Sequence, residues 1–339
     1  MPAFDSSAFL PPSVIARITE TRVHDHEYAL SAAVKRNRRP RLAPDGKLNI
    51  LAADHPARRV TSSPGNPLGM ADRGDLLSRI LRVLMSRHVD GVMATMDILE
   101  DLLVVDDFLR EAGAAPLLDH KVLLASLNRG GLAGAAWEID DPMTGATPEV
   151  CAQWHLDGAK ILLRIADDDP ASLKTLLACA HAITRLNALR LPTFLEPLPV
   201  VRSDNGYKVV KTPEALAKIV GVATALGDSS RFLWLKLPAC DRYEVVARST
   251  TLPILLLGGE SAGDPTPFLS ELERALAAGP NVRGALVGRN VLYPGAEDPL
   301  VVAEAAGRMI HQRENVSKAL EAAGKEVLKK NSSLGLSGR

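Results

Sequence analysis

Residues 231–239 read RFLWLKLPA, a run in which apolar side chains surround a single lysine, Lys236. The run has the length of a β-strand, and a strand that is almost wholly apolar is typical of a parallel sheet covered on both faces by helices. Seven other short apolar runs occur along the chain, each followed by a polar or glycine-containing turn and a helical pattern. In chain order the eight runs span residues 48–54, 90–95, 121–127, 158–165, 191–197, 232–238, 252–259 and 282–288.

The number and spacing of these runs predict the fold. Amphipathic stretches such as residues 74–88, 172–189 and 212–227 lie between them. Eight β/α units in about 240 residues match a closed (β/α)8 TIM barrel in number and length. An open, doubly wound α/β sheet is the alternative, but no GxGxxG follows the first run, so a dinucleotide site has no support.

The rest of the chain is assigned around a single barrel domain, predicted over residues 47–325. Residues 1–46 are expected to form an N-terminal helical extension whose helical segment, residues 12–36, closes the bottom of the barrel. Residues 299–323 are predicted to be the final helix. Residues 326–339 are predicted to be a flexible tail, because they contain too few periodic apolar residues to pack.

The composition indicates which class of partner and which cellular compartment to expect. The 339 residues include 40 Lys+Arg and 40 Asp+Glu, so no excess of charge suggests a nucleic acid or an anionic membrane, and a small-molecule partner is predicted. Three widely spaced cysteines without a CxxC motif fit a reducing compartment. Neither a signal peptide nor a membrane-spanning run is apparent, so we expect a cytoplasmic protein. Whether it is a homo-oligomer is left open.

Polar residues at the ends of the predicted strands are the candidates for a site. In this class of barrel, catalytic groups lie at the C-terminal ends of the strands. Charged groups that converge on one barrel mouth are costly to bury without a use, so as a set they favour a site over a buried ion-pair network, which stays the alternative for each position. The candidates are Asp54, Asn128, Arg129, Lys160, Arg164, Glu196 and Lys236.

Lys236 is the strongest of these candidates. Its apolar neighbours disfavour the ammonium form and are expected to lower its pKa, and a second cation, Lys160, is expected to lower it further. A neutral lysine amine is the form that attacks a carbonyl to make a Schiff base. The alternative is an ammonium that extends to solvent at the barrel rim.

Two carboxylates complete the predicted catalytic set. Glu196, in TFLEPLP, has apolar neighbours that are expected to raise its pKa toward neutrality, as suits a group that takes and returns a proton. A salt bridge to Lys160 or Lys236 is the alternative and is compatible with that role. Asp54, in LAADHPARR, is expected either to bind an amine or a substrate hydroxyl or to cap the turn that follows.

Glycines after the last two strands suggest a phosphate site. Backbone N–H groups in such loops can approach an anion, and Arg289 could add a bidentate contact, although glycines also serve tight turns. The predicted contacts are Gly258, Gly259, Gly288 and Arg289. No metal or cofactor is predicted. The only dense His/acid cluster, HDHE at residues 24–27, reads as a solvated helix face, and no Ser-His-Asp or Cys-His set falls at the strand ends.

Taken in order, these motifs resemble the class I aldolases of the deoxyribose-phosphate and tagatose-bisphosphate aldolase family, over about residues 48–293. The resemblance implies that Lys236 forms the Schiff base, that Glu196 is the acid/base, and that Lys160 is an electrostatic partner, without a metal. It also implies that Asp54 contacts a substrate hydroxyl or a lysine. The motifs that carry it are LAADHPARR, DGAKILLRIADDDP, FLEPLP, FLWLKLP, LLLGG and VGRNV.

The resemblance also sets expectations about the substrate, a phosphorylated sugar. Asn128, Arg129 and Arg164 are predicted to help bind it, whereas Pro56 departs from the arginine or glycine usual soon after the first-strand aspartate. The chain is further similar to an actinobacterial barrel group linked with inositol catabolism, which implies cleavage of 6-phospho-5-dehydro-2-deoxygluconate to dihydroxyacetone phosphate and malonate semialdehyde. A phosphosugar isomerase or epimerase, or a non-catalytic barrel that binds a phosphometabolite, are the alternatives.

Overall fold

The computed structural model describes residues 4–204, 206–330 and 333–336, and within them the strands form a closed barrel. Strand β1 pairs with β9 and β4 pairs with β5, all in parallel, so the eight parallel strands have no free edge and the predicted (β/α)8 TIM barrel is confirmed. The strands are β1 (Leu48–Ala52), β2 (Gly91–Ala94), β3 (Val122–Ser126), β4 (Gly158–Ile165), β5 (Thr193–Ser203), β6 (Gly206–Val209), β7 (Leu233–Pro238), β8 (Ile254–Leu257) and β9 (Val282–Val287).

Helices connect successive barrel strands, as the βα pattern predicted. Three of these helices begin with a short polar residue followed by proline, as in Thr147-Pro148, Thr212-Pro213 and Asp298-Pro299. The side chain of the first residue accepts a backbone N–H of the first turn, and the proline needs no such partner. The helices are α1 (Ser6–Phe9), α2 (Pro12–His24), α3 (Tyr28–Lys35), α4 (Arg73–Leu84), α5 (Met96–Glu111), α6 (Pro148–Gln153), α7 (Ala171–Ala188), α8 (Pro213–Thr224), α9 (Tyr243–Arg248), α10 (Thr266–Ala277), α11 (Arg289–Leu292), α12 (Pro299–Gln312) and α13 (Val316–Val327).

The barrel interior is apolar in its lower part, toward the N-terminal ends of the strands, and charged in its upper part, toward their C-terminal ends. Side chains alternate between the two faces of a strand, so the residue two positions after an interior one also points inward. On β5, Phe194 belongs to the interior cluster and Glu196 follows it; on β7, Trp234 packs on that cluster and Lys236 follows. The lower interior is filled by Leu48, Ile50, Ala52, Met93, Val122, Leu124, Phe194, Leu255 and Leu286.

The segment before β1 closes the bottom of the barrel, but its helices do not. Residues 12–36 form two helices, α2 and α3, which contact α5 on the outside of the barrel. Leu42 and Ala43, in the non-helical stretch after α3, are the residues that pack on the lower interior cluster. Of the HDHE residues, His24 ends α2 and residues 25–27 lie between the two helices; all four are exposed.

At the end of the chain, the last predicted helix differs in the structure, and one residue of the predicted tail contacts the core. Residues 299–323 are not one helix, because Arg313 adopts a left-handed conformation (φ 58°) that ends α12, and Asn315 caps the start of α13. In the predicted tail, the Leu334 N–H donates to the Phe9 carbonyl (3.3 Å) and its side chain packs on the core. Residues 331–332 and 337–339 of that tail lie outside the described residues.

Strand β5 is longer than predicted. It continues past the barrel to Ser203 and pairs with β6 as an antiparallel hairpin, with Val200 opposite Val209. The hairpin extends the wall of the barrel mouth on that side. In the part of the chain that the structure describes, no helix has both the length and the apolar character to cross a membrane.

His311 connects α12 to the closed bottom of the barrel. Its Nδ1 lies 2.8 Å from Asp45 Oδ2, and its Nε2 lies 3.0 Å from Asp90 Oδ2. Burial would lower the pKa of this imidazole, but the hydrogen bonds and charges of Asp90 and Asp45 outweigh burial and raise it above its ordinary value. Asp90 also accepts a hydrogen bond from the Asn49 N–H and forms an ion pair with Arg39. The same carboxylate thus binds the first strand, the N-terminal segment and α12 together.

A raised pKa in the folded state makes stability depend on pH. Below the ordinary pKa the imidazolium is present in both states and its ion pairs contribute fully; this contribution is lost as the pH rises through the raised pKa of His311. We expect His311→Gln to cost about 1–3 kcal/mol in mildly acidic solution and progressively less in alkaline solution. Urea denaturation from about pH 5 to pH 9 measures this difference. The exposed His181→Gln is the control; a cost that does not change with pH would contradict the assignment.

Candidate active site

Glu196 lies between two lysines at the upper end of the barrel interior. Its Oε2 is 2.7 Å from the Nζ of Lys160 on β4 and 3.0 Å from the Nζ of Lys236 on β7. The pairing of the strands sets this geometry: Phe194 is opposite Trp234, so Glu196 and Lys236, each two residues later, are level with each other on adjacent strands. The rim alternative for Lys236 is therefore wrong, because its ammonium is buried against a carboxylate.

Both lysines have lowered pKa values, because burial disfavours their charged forms. For Lys160, which has no exposed surface, the charge of Arg129 adds to burial and the pKa falls well below its ordinary value. For Lys236, burial lowers the pKa, Glu196 opposes it, and the charges of Arg129 and Arg289 add to it. The direction for Lys236 is as predicted, but arginines supply the repulsive charge that the sequence assigned to Lys160.

The predicted pKa shift of Glu196 is wrong in direction. Burial does raise the pKa of this carboxyl, but the nearby charges of Lys160, Lys236 and Arg129 outweigh burial and hold the pKa well below its ordinary value. Glu196 is therefore a carboxylate over the neutral pH range. Its sequence neighbours are apolar, whereas its spatial neighbours are cations from three other positions.

Asp54, two residues after the end of β1, joins the same cluster. Its Oδ2 accepts a hydrogen bond from Ser126 Oγ (2.9 Å), pairs with the guanidinium of Arg129, and lies 3.6 Å from Lys160 Nζ. The alternative role as a cap for the next turn is not observed, since the short helix at Pro56–Arg58 has no side-chain cap. Asp54 and Glu196 thus flank the buried amine of Lys160.

Two predicted binding residues have a different task, which is to hold the loop between β3 and α6. Asn128 donates from Nδ2 to the Leu162 carbonyl (2.6 Å) and accepts the Leu162 N–H (2.8 Å). Arg164 pairs with Glu138 (2.6 Å) and donates to the Gly131 carbonyl (3.0 Å). These contacts within the protein show that Asn128 and Arg164 position this loop, and their predicted contact with a substrate stays a prediction.

The two predicted glycine sites differ in the space around them. A Cβ on Gly259 would meet nothing within 4 Å, and a Cβ on Gly258 would approach Val287 to 2.5 Å. A Cβ on Gly288 would lie only 2.3 Å from His55 Cε1 and 2.5 Å from the Ala52 carbonyl oxygen. The backbone at the ends of the last two strands thus lies close to the mouth. It has open space around Gly259, whereas at Gly288 it packs against the ring of His55.

Arg289 and His55 complete the mouth. Arg289 follows Gly288, is largely buried, and lies 3.5 Å from the carboxylate of Glu260, whose side chain is 87% exposed. His55 was not among the predicted site residues, although it directly follows Asp54 at a strand end, which was the available signal. Among the described residues, no group of three or more His, Cys, Asp or Glu side chains is arranged to hold a metal ion.

Comparison with known proteins identifies relatives of the whole barrel. The profile of the Cgl0159-like family matches residues 46–307. The crystal structure of Cgl0159 from Corynebacterium glutamicum is 35% identical to this chain, covers 93% of it and 100% of its own length, and superposes with a TM-score of 0.83.

More distant similarities share the fold or part of the sequence. An archaeal fructose-1,6-bisphosphate aldolase, with its catalytic lysine covalently bound to the carbinolamine intermediate of the substrate, has the same fold at 21% identity, with a TM-score of 0.58 over 83% of this chain and 99% of its own. An uncharacterized aldolase of Saccharolobus solfataricus is 30% identical over 138 residues, which is 40% of this chain and 47% of that relative. The match thus spans about half of that relative's length.

The contrast between Gly288 and Gly259 predicts different responses to the same small change. Gly288→Ala forces a methyl group against the His55 ring and the Ala52 carbonyl, so it should lower the free energy of unfolding by about 1–3 kcal/mol. Gly259→Ala places its methyl group in open space and should leave stability within about 0.5 kcal/mol. Urea denaturation of the two variants measures this difference. Equal stabilities would show that the end of β9 is less tightly packed than described.

Proposed function

The chain belongs to the Cgl0159-like family, and we propose that it is a class I aldolase in which Lys236 forms a Schiff base with a phosphorylated sugar. The observation that carries this proposal is the buried cluster at the barrel mouth, where two amines of lowered pKa share one carboxylate. Its position at the C-terminal ends of the strands is where barrels of this class place their chemistry. Support also comes from the archaeal aldolase of the same fold, whose own lysine carries a carbinolamine.

Of the two lysines, Lys236 is the better nucleophile. Lys160 has no exposed surface and lies between Asp54 and Glu196, so a ketone cannot reach its amine. Lys236 retains a small exposed area, and it lies close enough to Arg289 at the mouth for the charge of that arginine to lower its pKa. The lowered pKa of Lys236 favours loss of its proton, which we assign to the pair formed by Glu196, 3.0 Å away, and Lys160, and the neutral amine then attacks a carbonyl.

The proposed reaction proceeds through an iminium ion. The Lys236 amine adds to the ketone carbon, and loss of water from the carbinolamine leaves a C=N⁺ bond. When the neighbouring C–C bond breaks, its electron pair moves into the iminium to give an enamine, and the hydroxyl on the departing carbon loses its proton and becomes an aldehyde. The enamine carbon then takes a proton, and water hydrolyses the new iminium to release the second product.

We assign the protons of this cycle to Glu196 and Lys160 together. A carboxylate with a pKa well below its ordinary value is a weak base by itself. Lys160, 2.7 Å away, has a lowered pKa because burial and the charge of Arg129 disfavour its ammonium, so it gives up a proton more readily than an ordinary lysine. The pair would take the hydroxyl proton during cleavage and return one to the enamine.

The charge at the mouth favours an anionic substrate. Four cationic side chains, those of Lys160, Lys236, Arg129 and Arg289, lie around the buried carboxylates of Asp54 and Glu196, and the carboxylate paired with Arg289, that of Glu260, is largely exposed. A substrate phosphate near Arg289, Gly258 and the open backbone at Gly259 would offset this excess. We therefore propose a phosphorylated ketose or deoxy-keto sugar acid, with 6-phospho-5-dehydro-2-deoxygluconate as one compound to test.

Borohydride reduction tests the Schiff base directly. With dihydroxyacetone phosphate or the proposed sugar acid, we expect an irreversible mass adduct on Lys236 and loss of activity, because reduction turns the imine into a stable amine. Lys236→Met should give no adduct and no cleavage, whereas the exposed Lys218→Met on α8 should behave as the unmodified protein. Intact-protein and peptide mass spectrometry provide the readout.

The alternatives give different results in the same experiment. An isomerase or epimerase should survive borohydride and return a product with the mass of its substrate. A barrel that only binds a phosphometabolite should be stabilised by it against heat equally with and without Lys236→Met. The absence of any adduct with a panel of ketone donors, together with full activity of Lys236→Met, rules out the proposal.

The role of Glu196 predicts a second result. Glu196→Gln keeps the shape of the side chain but removes the charge that both lysines share, so kcat should fall by about 10²- to 10⁴-fold. Borohydride should still trap ketone on Lys236, more slowly than in the unmodified protein. Steady-state kinetics and timed trapping separate the two effects. A variant that keeps more than about half of the activity would exclude Glu196 from the proton transfers.

A further inference from the structure

We propose that His55 is a catalytic residue that donates a hydrogen bond from its neutral imidazole to the oxygen of the carbonyl that Lys236 attacks. This inference rests on the proposed aldolase function and goes beyond it by naming a group for the step in which the imine forms. His55 would keep its own proton. The proton that turns the departing hydroxide into water would come from the Lys160 and Glu196 pair.

The position of His55 in the mouth comes from two strand ends that meet there. His55 directly follows Asp54 at the end of β1, and β1 is paired with β9, whose last residue precedes Gly288. A Cβ at Gly288 would fall 2.3 Å from His55 Cε1 and 3.1 Å from its Nε2, so the ring lies against the backbone there. The glycine makes room for this imidazole, and Arg289 is the next residue along the chain.

The polar atoms of the ring indicate what it is for. The Nδ1 atom of His55 is fully buried and has no hydrogen-bond partner among the residues that the structure describes. Buried polar atoms in native proteins are nearly always paired, so an orphan nitrogen beside a site calls for a partner from outside the protein, a water molecule or a ligand atom.

The surroundings decide whether this ring acts as a base or as a neutral donor. Burial, followed by the charges of Arg289 and Lys236, lowers the pKa of His55 to about 3. At neutral pH the imidazole is uncharged and too weakly basic to abstract a proton from a hydroxyl. A neutral imidazole can still polarise a carbonyl by donating its N–H, a use of histidine that depends on such a lowered pKa. It does so without adding another cation beside the two lysines.

Three substitutions separate hydrogen bonding from packing. His55→Phe keeps a ring against Gly288 but removes both nitrogens, so the rate of borohydride trapping with dihydroxyacetone phosphate should fall by about 10²-fold. His55→Gln and His55→Asn keep an N–H donor, and at least one should recover about tenfold or more of that loss. Thermal unfolding of each variant reports whether the fold is retained. The rate of trapping should show no titration of His55 between about pH 5 and pH 9 in the unmodified protein.

Several outcomes would overturn the role of His55. Trapping by His55→Phe at the unmodified rate, or equal losses in all three folded variants, would leave His55 with a packing role only. If the unmodified protein forms no adduct, the aldolase proposal fails first. The hydrogen bond is then tested by calorimetric binding of dihydroxyacetone phosphate, which must weaken in His55→Phe and recover in His55→Gln; equal affinities would refute the inference independently.

Discussion

Glu196 binds two buried ammonium groups through one oxygen, and the arrangement of the mouth depends on that shared contact. An isolated charge is costly in a protein interior, and removing one partner of a buried pair typically costs about 3–5 kcal/mol because the other charge stays behind. Lys160 and Lys236 each rely on the same carboxylate, so neither can be considered alone. The compensation is also incomplete, since burial keeps the pKa values of both amines below their ordinary value despite the shared carboxylate.

The barrel holds this contact in place through its most regular part. Lys160, Glu196 and Lys236 stand on three neighbouring strands whose parallel pairing leaves no freedom to slide, because a shift of one residue would turn each side chain to the outer face. The apolar layer beneath them excludes water from below. Arg164 and Asn128 then hold the loop after β3 against β4, so their buried polar groups maintain the shape of the mouth.

The sequence was sufficient for the fold because the fold depends on local periodicity. Eight apolar runs at regular spacing permit few architectures, and all eight became barrel strands. The continuation of β5 to Ser203 was missed because nothing in TFLEPLPVV marks where the barrel ends and the hairpin begins. The break at Arg313 was missed for a similar reason, since arginine gives no warning of a left-handed conformation.

The chemistry of the site could be predicted only in part. The lowered pKa of Lys236 follows first from burial, which its apolar run already indicates. The pKa of Glu196 follows from cations brought together by folding, so neighbours in sequence indicated the opposite direction. His55 was not assigned a role from the sequence because its place in the mouth depends on Gly288, more than 200 residues later in the chain, and no local pattern connects the two.

The closure at the bottom of the barrel constrains the order in which the protein can be completed. Lys47, at the start of the first strand, donates to the Ile310 carbonyl (2.6 Å) near the end of α12, and β1 pairs with β9, the last strand. During synthesis β1 leaves the ribosome long before β9 and α12 exist, although the helices before it can pack on α5 early. The free edge of β1 must therefore stay unpaired while more than 200 further residues are made, and the barrel closes only when β9 and α12 have emerged.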